Sequence, residues 1–167
     1  YSADENRGVI LVQSGARLSY VAETLAPKAV STGQEHSFSL SVENLGEAAL
    51  IINSSQTYIE FTDLTETFTA YSASGGALAG FDISEMTFST GQIPPFMAPG
   101  IYPITLKVNG SENGAPFDTS FVIADSVKVL EPASLQYMAG TLNPVTVSKG
   151  SSVAFSAGIF NSGGAEI

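Results

Sequence analysis

The sequence predicts an all-β fold, with two-sheet antiparallel sandwiches arranged in tandem. Three observations carry this. Apolar and polar residues alternate with period two through much of the chain, which is the pattern of half-buried strands. Turn signals punctuate the alternating runs, among them NLGE, SGG, PPFMAPG and NGSENG. The chain also repeats itself: LQYMAGTLNPVTVSKG at 135–150 restates LSYVAETLAPKAVSTG at 18–33.

The repeat decides the organisation before any local feature does. Leu18 aligns with Leu135, an offset of 117 positions, and the register runs without a gap to Leu50 and Ile167. It holds 14 identities in 33 positions, including Tyr20/Tyr137, Thr24/Thr141, Pro27/Pro144, Gly33/Gly150, Phe38/Phe155, Asn44/Asn161 and Gly46/Gly163. One complete module is therefore expected over 18–134, with 135–167 forming the first strands of a following, incomplete one. Residues 1–17 are expected to be the last strand of a preceding repeat or an N-terminal extension. The stretch GVILVQSGARLSY parallels DSVKVLEPASLQY there, anchored by Val12/Val129 and Ala16/Ala133.

Within the module the elements follow in order. The Leu-x-Tyr at 18–20 is its first strand. In HSFSLSVEN, His36, Phe38, Leu40 and Val42 share one face, opposite Ser37, Ser39, Ser41 and Glu43. The second copy, VAFSAGIFN, keeps Val153, Phe155, Ala157 and Ile159 on the same face but places Phe160 where Glu43 stands. Further strands are predicted at Ala48–Ile52, Tyr58–Thr62, Thr65–Tyr71 and Glu85–Ser89. IYPITLKVN puts Tyr102, Ile104, Leu106 and Val108 on one face. Phe117–Val129 closes the module, joined to it by a hairpin in which Asn113-Gly114 takes positive φ. Asp125 shares the parity of Ile123 and Val127, so a bulge at Ala124–Ser126 is expected to turn it outward. About seven short strands without a helix fit a two-sheet sandwich. The short junction LEPAS carries Pro132, so successive modules should be stiffly linked.

Two stretches carry a family resemblance: V-S-T-G-Q followed by the alternating strand and N-L-G, and later A-P-G-I-Y-P-I-T-L-K-V-N-G. The module resembles the bacterial Ig-like tandem-repeat domains of large surface proteins, including cell-adhesion-related ones. The resemblance covers about residues 18–130 and is poor over 63–97. It implies an Ig-like antiparallel β-sandwich in tandem repeats of about 117 residues, with Tyr102 capping a sheet corner through its hydroxyl. It implies a spacer or adhesive role and supplies no site residues.

Composition narrows the function classes. A hydrophobic fraction of 44% suffices for a packed core. With 16 acidic and 6 basic residues the formal charge is -10, a field that repels nucleic acid and anionic membrane. The absence of cysteine removes disulfides and thiolate chemistry. No apolar run is long enough to span a membrane. The N-terminus YSADENRG lacks the features of a signal peptide, so any targeting signal is expected outside the sequence shown.

No catalytic residue is predicted. His36 is the sole histidine, and its counterpart is Val153, so it reads as a packing position and a Ser-His-Asp triad lacks its base. No phosphate- or dinucleotide-binding fingerprint occurs. No cofactor is expected. Calcium is the one metal to weigh, with Glu43, Glu47, Asp63, Glu66, Asp82, Glu85, Glu112 and Asp118 near loops, but they form no calcium-loop motif. Lys107 and Lys128 alternate outward, which argues against a buried isopeptide crosslink. Asn53-Ser-Ser and Asn109-Gly-Ser are glycosylation sequons.

The expected role is that of a non-enzymatic extracellular structural protein at the cell surface. Its modules would form a stiff rod or filament through end-to-end and strand-pairing contacts. The partners would be other copies or adjacent repeats of the same chain, with Phe160 as a candidate contact. The alternative is an adhesin-type module for a surface glycan or host protein. Tyr58 and Tyr71, with Phe61 and Phe68, would then form an aromatic platform, unless these four rings line the core.

Overall fold

The computed structural model describes residues 12–165, and over them the chain is all-β. The stretch 1–11, assigned above to a preceding repeat or an extension, lies outside the described residues.

The smaller of the two main sheets has three antiparallel strands: β1 (Leu18–Tyr20), β4 (Ser39–Asn44) and β9 (Ile83–Thr87), in the order β1-β4-β9. The larger one is built around a long hairpin, β11 (Gly100–Glu112) and β12 (Ala115–Leu130). On one side β2 (Ala29–Ser31) pairs parallel to β12. On the other side β5 (Leu50–Ile52) and β6 (Tyr58–Thr62) share the edge of β11. Outside them lie β8 (Gly76–Leu78) on β5 and β7 (Thr67–Tyr71) on β6. A short pair, β3 (Glu35–His36) with β10 (Gly91–Gln92), ties the two ends of the connections together. Finally β13 (Leu135–Tyr137) and β14 (Ile159–Asn161) form a two-stranded sheet of their own.

The alternation dictates what the two main sheets bury between them. Leu40 and Val42 of β4 and Met86 of β9 point toward Ile59 and Phe61 of β6, Leu106 and Val108 of β11, and Val127 and Val129 of β12. Phe38, Phe61 and Phe68 form the aromatic centre, with the Phe61 and Phe68 rings stacked at 4.9 Å and Phe38 5.4 Å from Phe68. Aromatic pairs at such distances add to the stabilisation from burial itself.

Several local expectations hold. Asn113 (φ 49) and Gly114 (φ 81) make the two-residue hairpin loop, with Glu112 opposite Ala115. The Tyr102 hydroxyl donates to the Ala98 carbonyl at 2.6 Å, capping the start of β11. Others need correction. The SGG run is not only a turn, because Gly76 opens β8. The strand predicted at Glu85–Ser89 instead runs over Ile83–Thr87. The 36–44 run breaks at Ser37–Phe38, because His36 pairs with Gly91 while Ser39 pairs with Thr87. In the second copy only Ile159–Asn161 of VAFSAGIFN is strand.

The bulge expected near Asp125 is present: Pro103 faces Ser126 while Thr105 faces Val122, so β12 carries two extra residues there. It does not turn Asp125 outward. The side chain remains mostly covered and finds partners instead, the Tyr20 hydroxyl at 2.7 Å and the Lys28 ammonium at 3.5 Å.

Candidate functional site

The outer face of the larger sheet gathers the aromatic and polar groups that could meet a ligand. In β6, Ile59 and Phe61 are buried, so Tyr58 and Glu60 point away from the core. In β7, burial of Phe68 and Ala70 turns Tyr71 outward in the same way. The strand register sets Tyr71 opposite Tyr58, Tyr58 opposite Lys107, and Asn109 opposite Asp118. Of the four aromatic residues that sequence placed together, two line the core and two form the external pair.

The Tyr58 and Tyr71 ring centroids are 5.4 Å apart with planes tilted by 57°. The Lys107 ammonium lies 5.8 Å from the Tyr58 ring centroid, within cation–π range. A 3-10 turn over Ser54–Gln56 walls one side. Asn53 caps this turn, its Oδ1 accepting from the Ser55 N–H at 3.2 Å. The result is a shallow groove of about 330 Å³ over Tyr58 and Tyr71, edged by Gln56, Lys107, Asn109 and Asp118. Phe160 lines no part of it. It stands on β14, opposite Gln136, and is 41% exposed.

Three of the acidic residues weighed for calcium bind backbone N–H groups instead. Glu47 accepts from the Ser14 N–H at 2.9 Å and Glu112 from the Ala16 N–H at 3.1 Å. Asp63 accepts from the N–H groups of Thr65 and Glu66 at 2.7 Å each and of Ala98 at 2.9 Å. These bonds hold its carboxyl down to about 2. Among the described residues no three acidic or histidine side chains converge on a metal position.

His36, expected at a packing position, is half-buried and stands outside the core cluster. Its Nε2 accepts from the Ser31 N–H at 3.3 Å, and burial lowers its pKa, so the ring is neutral. The Tyr20–Asp125–Lys28 cluster bridges the two main sheets. Burial and the bond to Asp125 raise the Tyr20 hydroxyl, while that bond and Lys28 lower the Asp125 carboxyl against the opposing effect of burial.

Asn44, in sequence only one identity of the repeat, makes four side-chain hydrogen bonds. Fully buried, its Oδ1 accepts from the N–H groups of Arg17 (3.1 Å) and Gly46 (3.0 Å), and its Nδ2 donates to the carbonyls of Ala48 (2.8 Å) and Ala79 (3.1 Å). The signal was the N-x-G spacing shared by both copies. Gly46 is required beside it, since a Cβ there would meet the Gly15 carbonyl oxygen at 1.9 Å.

No protein-family model matches the chain, and no curated protein matches it. Solved structures with partial likeness include the sporulation control protein Spo0M from Bacillus subtilis, at 15% identity and TM-score 0.39, over 69% of this chain and 49% of that one. The chain thus spans about half of that protein's length. A PapD-like (ASH) domain of human CEP192 matches at 15% identity and TM-score 0.37, over 78% of this chain and 96% of that one. A β-glucosidase from Listeria innocua matches at 18% identity and TM-score 0.35, over 70% of this chain and 16% of that one. Likeness at this level identifies neither a family nor an activity.

Proposed function

We propose that the chain is part of a non-enzymatic extracellular structural protein, in which Ig-like modules of about 117 residues follow one another as a stiff rod or filament at the cell surface. One observation carries the reading: the contacts of residues 14–48 recur 117 residues later. The Asn161 Oδ1 accepts from the N–H groups of Ser134 and Gly163, both at 3.0 Å, as Asn44 does from Arg17 and Gly46. The Tyr137 hydroxyl accepts from the Leu142 N–H at 3.2 Å, as Tyr20 does from Leu25 at 3.0 Å. Thr141 bonds the Met138 carbonyl at 2.6 Å, as Thr24 bonds that of Val21 at 2.7 Å. A Cβ on Gly163 would meet the Pro132 carbonyl oxygen at 1.9 Å, reproducing Gly46.

The apolar side chains that follow the same pattern in the two copies differ mainly in cover. Leu25, Val30, Phe38 and Val42 are at most 2% exposed, while Leu142, Val147, Phe155 and Ile159 are 43%, 53%, 63% and 64% exposed. An exposed apolar surface of that extent calls for a partner. In the first copy the partner is the larger sheet, built around β11 and β12. The arrangement of strands supports the Ig-like description, with β2 parallel to β12 and two opposed sheets sharing one core.

The test is a chimera in which residues 51–134 are appended after Ile167, which aligns with Leu50. The borrowed strands should close the second face, abolish binding of an apolar dye, and lengthen the particle in small-angle scattering by one module. A chimera that still binds dye, or whose second half is digested while the first resists, would falsify the reading.

A second reading, an adhesin-type module for a carbohydrate or host protein, draws on the Tyr58–Tyr71 pair and the groove above it.

A further inference from the structure

We infer that the groove over Tyr58 and Tyr71 is a binding site for one or two neutral pyranose units of a polysaccharide. The inference rests on the second reading above and commits it to a ligand class and a place. At about 330 Å³ the groove lies at the small end of ligand sites, which suits one or two sugar rings.

The floor and rim divide the work that such a ligand needs. Tyr71 is 49% exposed, offering a ring face against which the C–H face of a pyranose lies flat. Aromatic rings contribute large contact area at small cost in side-chain freedom. The rim supplies hydrogen-bonding groups of every kind: Lys107 donates, Asp118 accepts, and the amides of Asn109 and Gln56 do both. The Asn109 and Asp118 side chains make no hydrogen bond among the described residues, so neither must give up a partner to meet a hydroxyl. Their strands are the long hairpin β11–β12, the most extensively paired element of the fold, so the backbone that carries them is fixed without a ligand.

Charge selects among sugars. Lys107 and Asp118 both line the groove, from the neighbouring strands β11 and β12, and together leave it near neutral. An anionic sugar would meet Asp118 and the net charge of -10, and a cationic ligand would meet Lys107. The groove is open and shallow, so a single site should bind weakly, on the order of 1 mM. Repetition of the module along a rod would raise avidity without any further contact.

The test uses the full chain and amide NMR shifts, with cellotriose, maltotriose, chitotriose and mannotriose as neutral probes and trigalacturonic acid as the anionic one. At least one neutral probe should shift amides of residues 56–58, 70–72 and 107–109, and Tyr71→Ala should weaken it at least about tenfold. Phe160→Ala should leave binding unchanged. Tyr71 lies outside the core, so the variant should lose only the stabilisation of its ring pair with Tyr58 and still unfold cooperatively, and that measurement guards against misfolding. A stronger response to trigalacturonic acid overturns the inference. So does neutral-sugar binding that survives Tyr71→Ala, although a glycan-binding role elsewhere on the chain would then stand. No shift with any probe at about ten times the expected dissociation constant overturns both the site and the glycan reading.

Discussion

At the scale of single residues, the polar groups that matter most are those that close loops, and Asn44 is the clearest. Replacing it by alanine leaves the Arg17 and Gly46 N–H groups and the Ala48 and Ala79 carbonyls without their partner. Unpaired buried groups cost about 1–3 kcal/mol each where water cannot reach them, so Asn44→Ala should lose at least about 3 kcal/mol. A lower urea midpoint at unchanged slope is the expected result. Asn161→Ala should leave that midpoint where it is, because no core residue of the main sandwich depends on Asn161, and should speed amide exchange only within 131–165. His36 offers the opposite case. Its ring is neutral when folded because burial disfavours its charge, so protonation favours the unfolded state and stability falls as pH drops below 6.5. His36→Val, the residue that the second copy has at Val153, should fold normally and show a flatter stability profile between about pH 7.5 and pH 5.

At the scale of elements, strands of five residues or more were legible because side-chain alternation and burial coincide in them. Tyr58–Thr62 was read to the residue, and the β11–β12 hairpin to within two or three at each end. Strands β2, β8 and β10, of two or three residues, left no such signal, since backbone pairing alone defines them and Gly76 and Gly91 carry no side chain to alternate. The candidate site was half legible. Tyr58 and Phe61 are three apart, as are Phe68 and Tyr71, and in a strand an odd spacing places residues on opposite faces. That parity separates the external pair from the core pair. The groups opposite them depend on register between strands distant in sequence, which no local pattern encodes. Loop chemistry was similarly hidden. Asp63 was weighed as a calcium ligand, but it clips the β6–β7 loop to Ala98 through backbone N–H groups. With its carboxyl at about 2 when folded against 3.8 unfolded, the stability it contributes is complete above about pH 4 and is lost as pH falls toward 2. Asp63→Asn should therefore be less stable at neutral pH and lose less stability between about pH 4 and 2. Acid-unfolding curves that fall in parallel for both proteins would contradict this.

At the scale of the whole molecule, the two parts of the chain have unequal claims on stability. The residues of the main core cluster run from Leu25 to Val129, and no residue of β13 or β14 is among them. The later segment repeats the hydrogen bonds of the earlier one while its apolar side chains face solvent. Its geometry is thus set locally by Asn161, Tyr137, Thr141 and the close approach at Gly163, before any core exists to hold it. Backbone bonds of this kind contribute little when water competes for the same groups, and a two-stranded sheet without a covered face is marginal on its own. Two consequences follow for a chain ending at Ser134. Its unfolding free energy should match that of the full chain within about 0.5 kcal/mol, because no buried contact of the main sandwich is removed. The enhancement of an apolar dye by the full chain should largely vanish, because Leu142, Val147, Phe155 and Ile159 leave with the deleted segment. Urea titration and dye fluorescence on the two chains measure both. An unfolding free energy lowered by more than about 1 kcal/mol would mean that residues 135–165 support the first sandwich directly. The interval of 117 residues would then separate two interdependent halves of one domain, and the rod would lose its repeating unit.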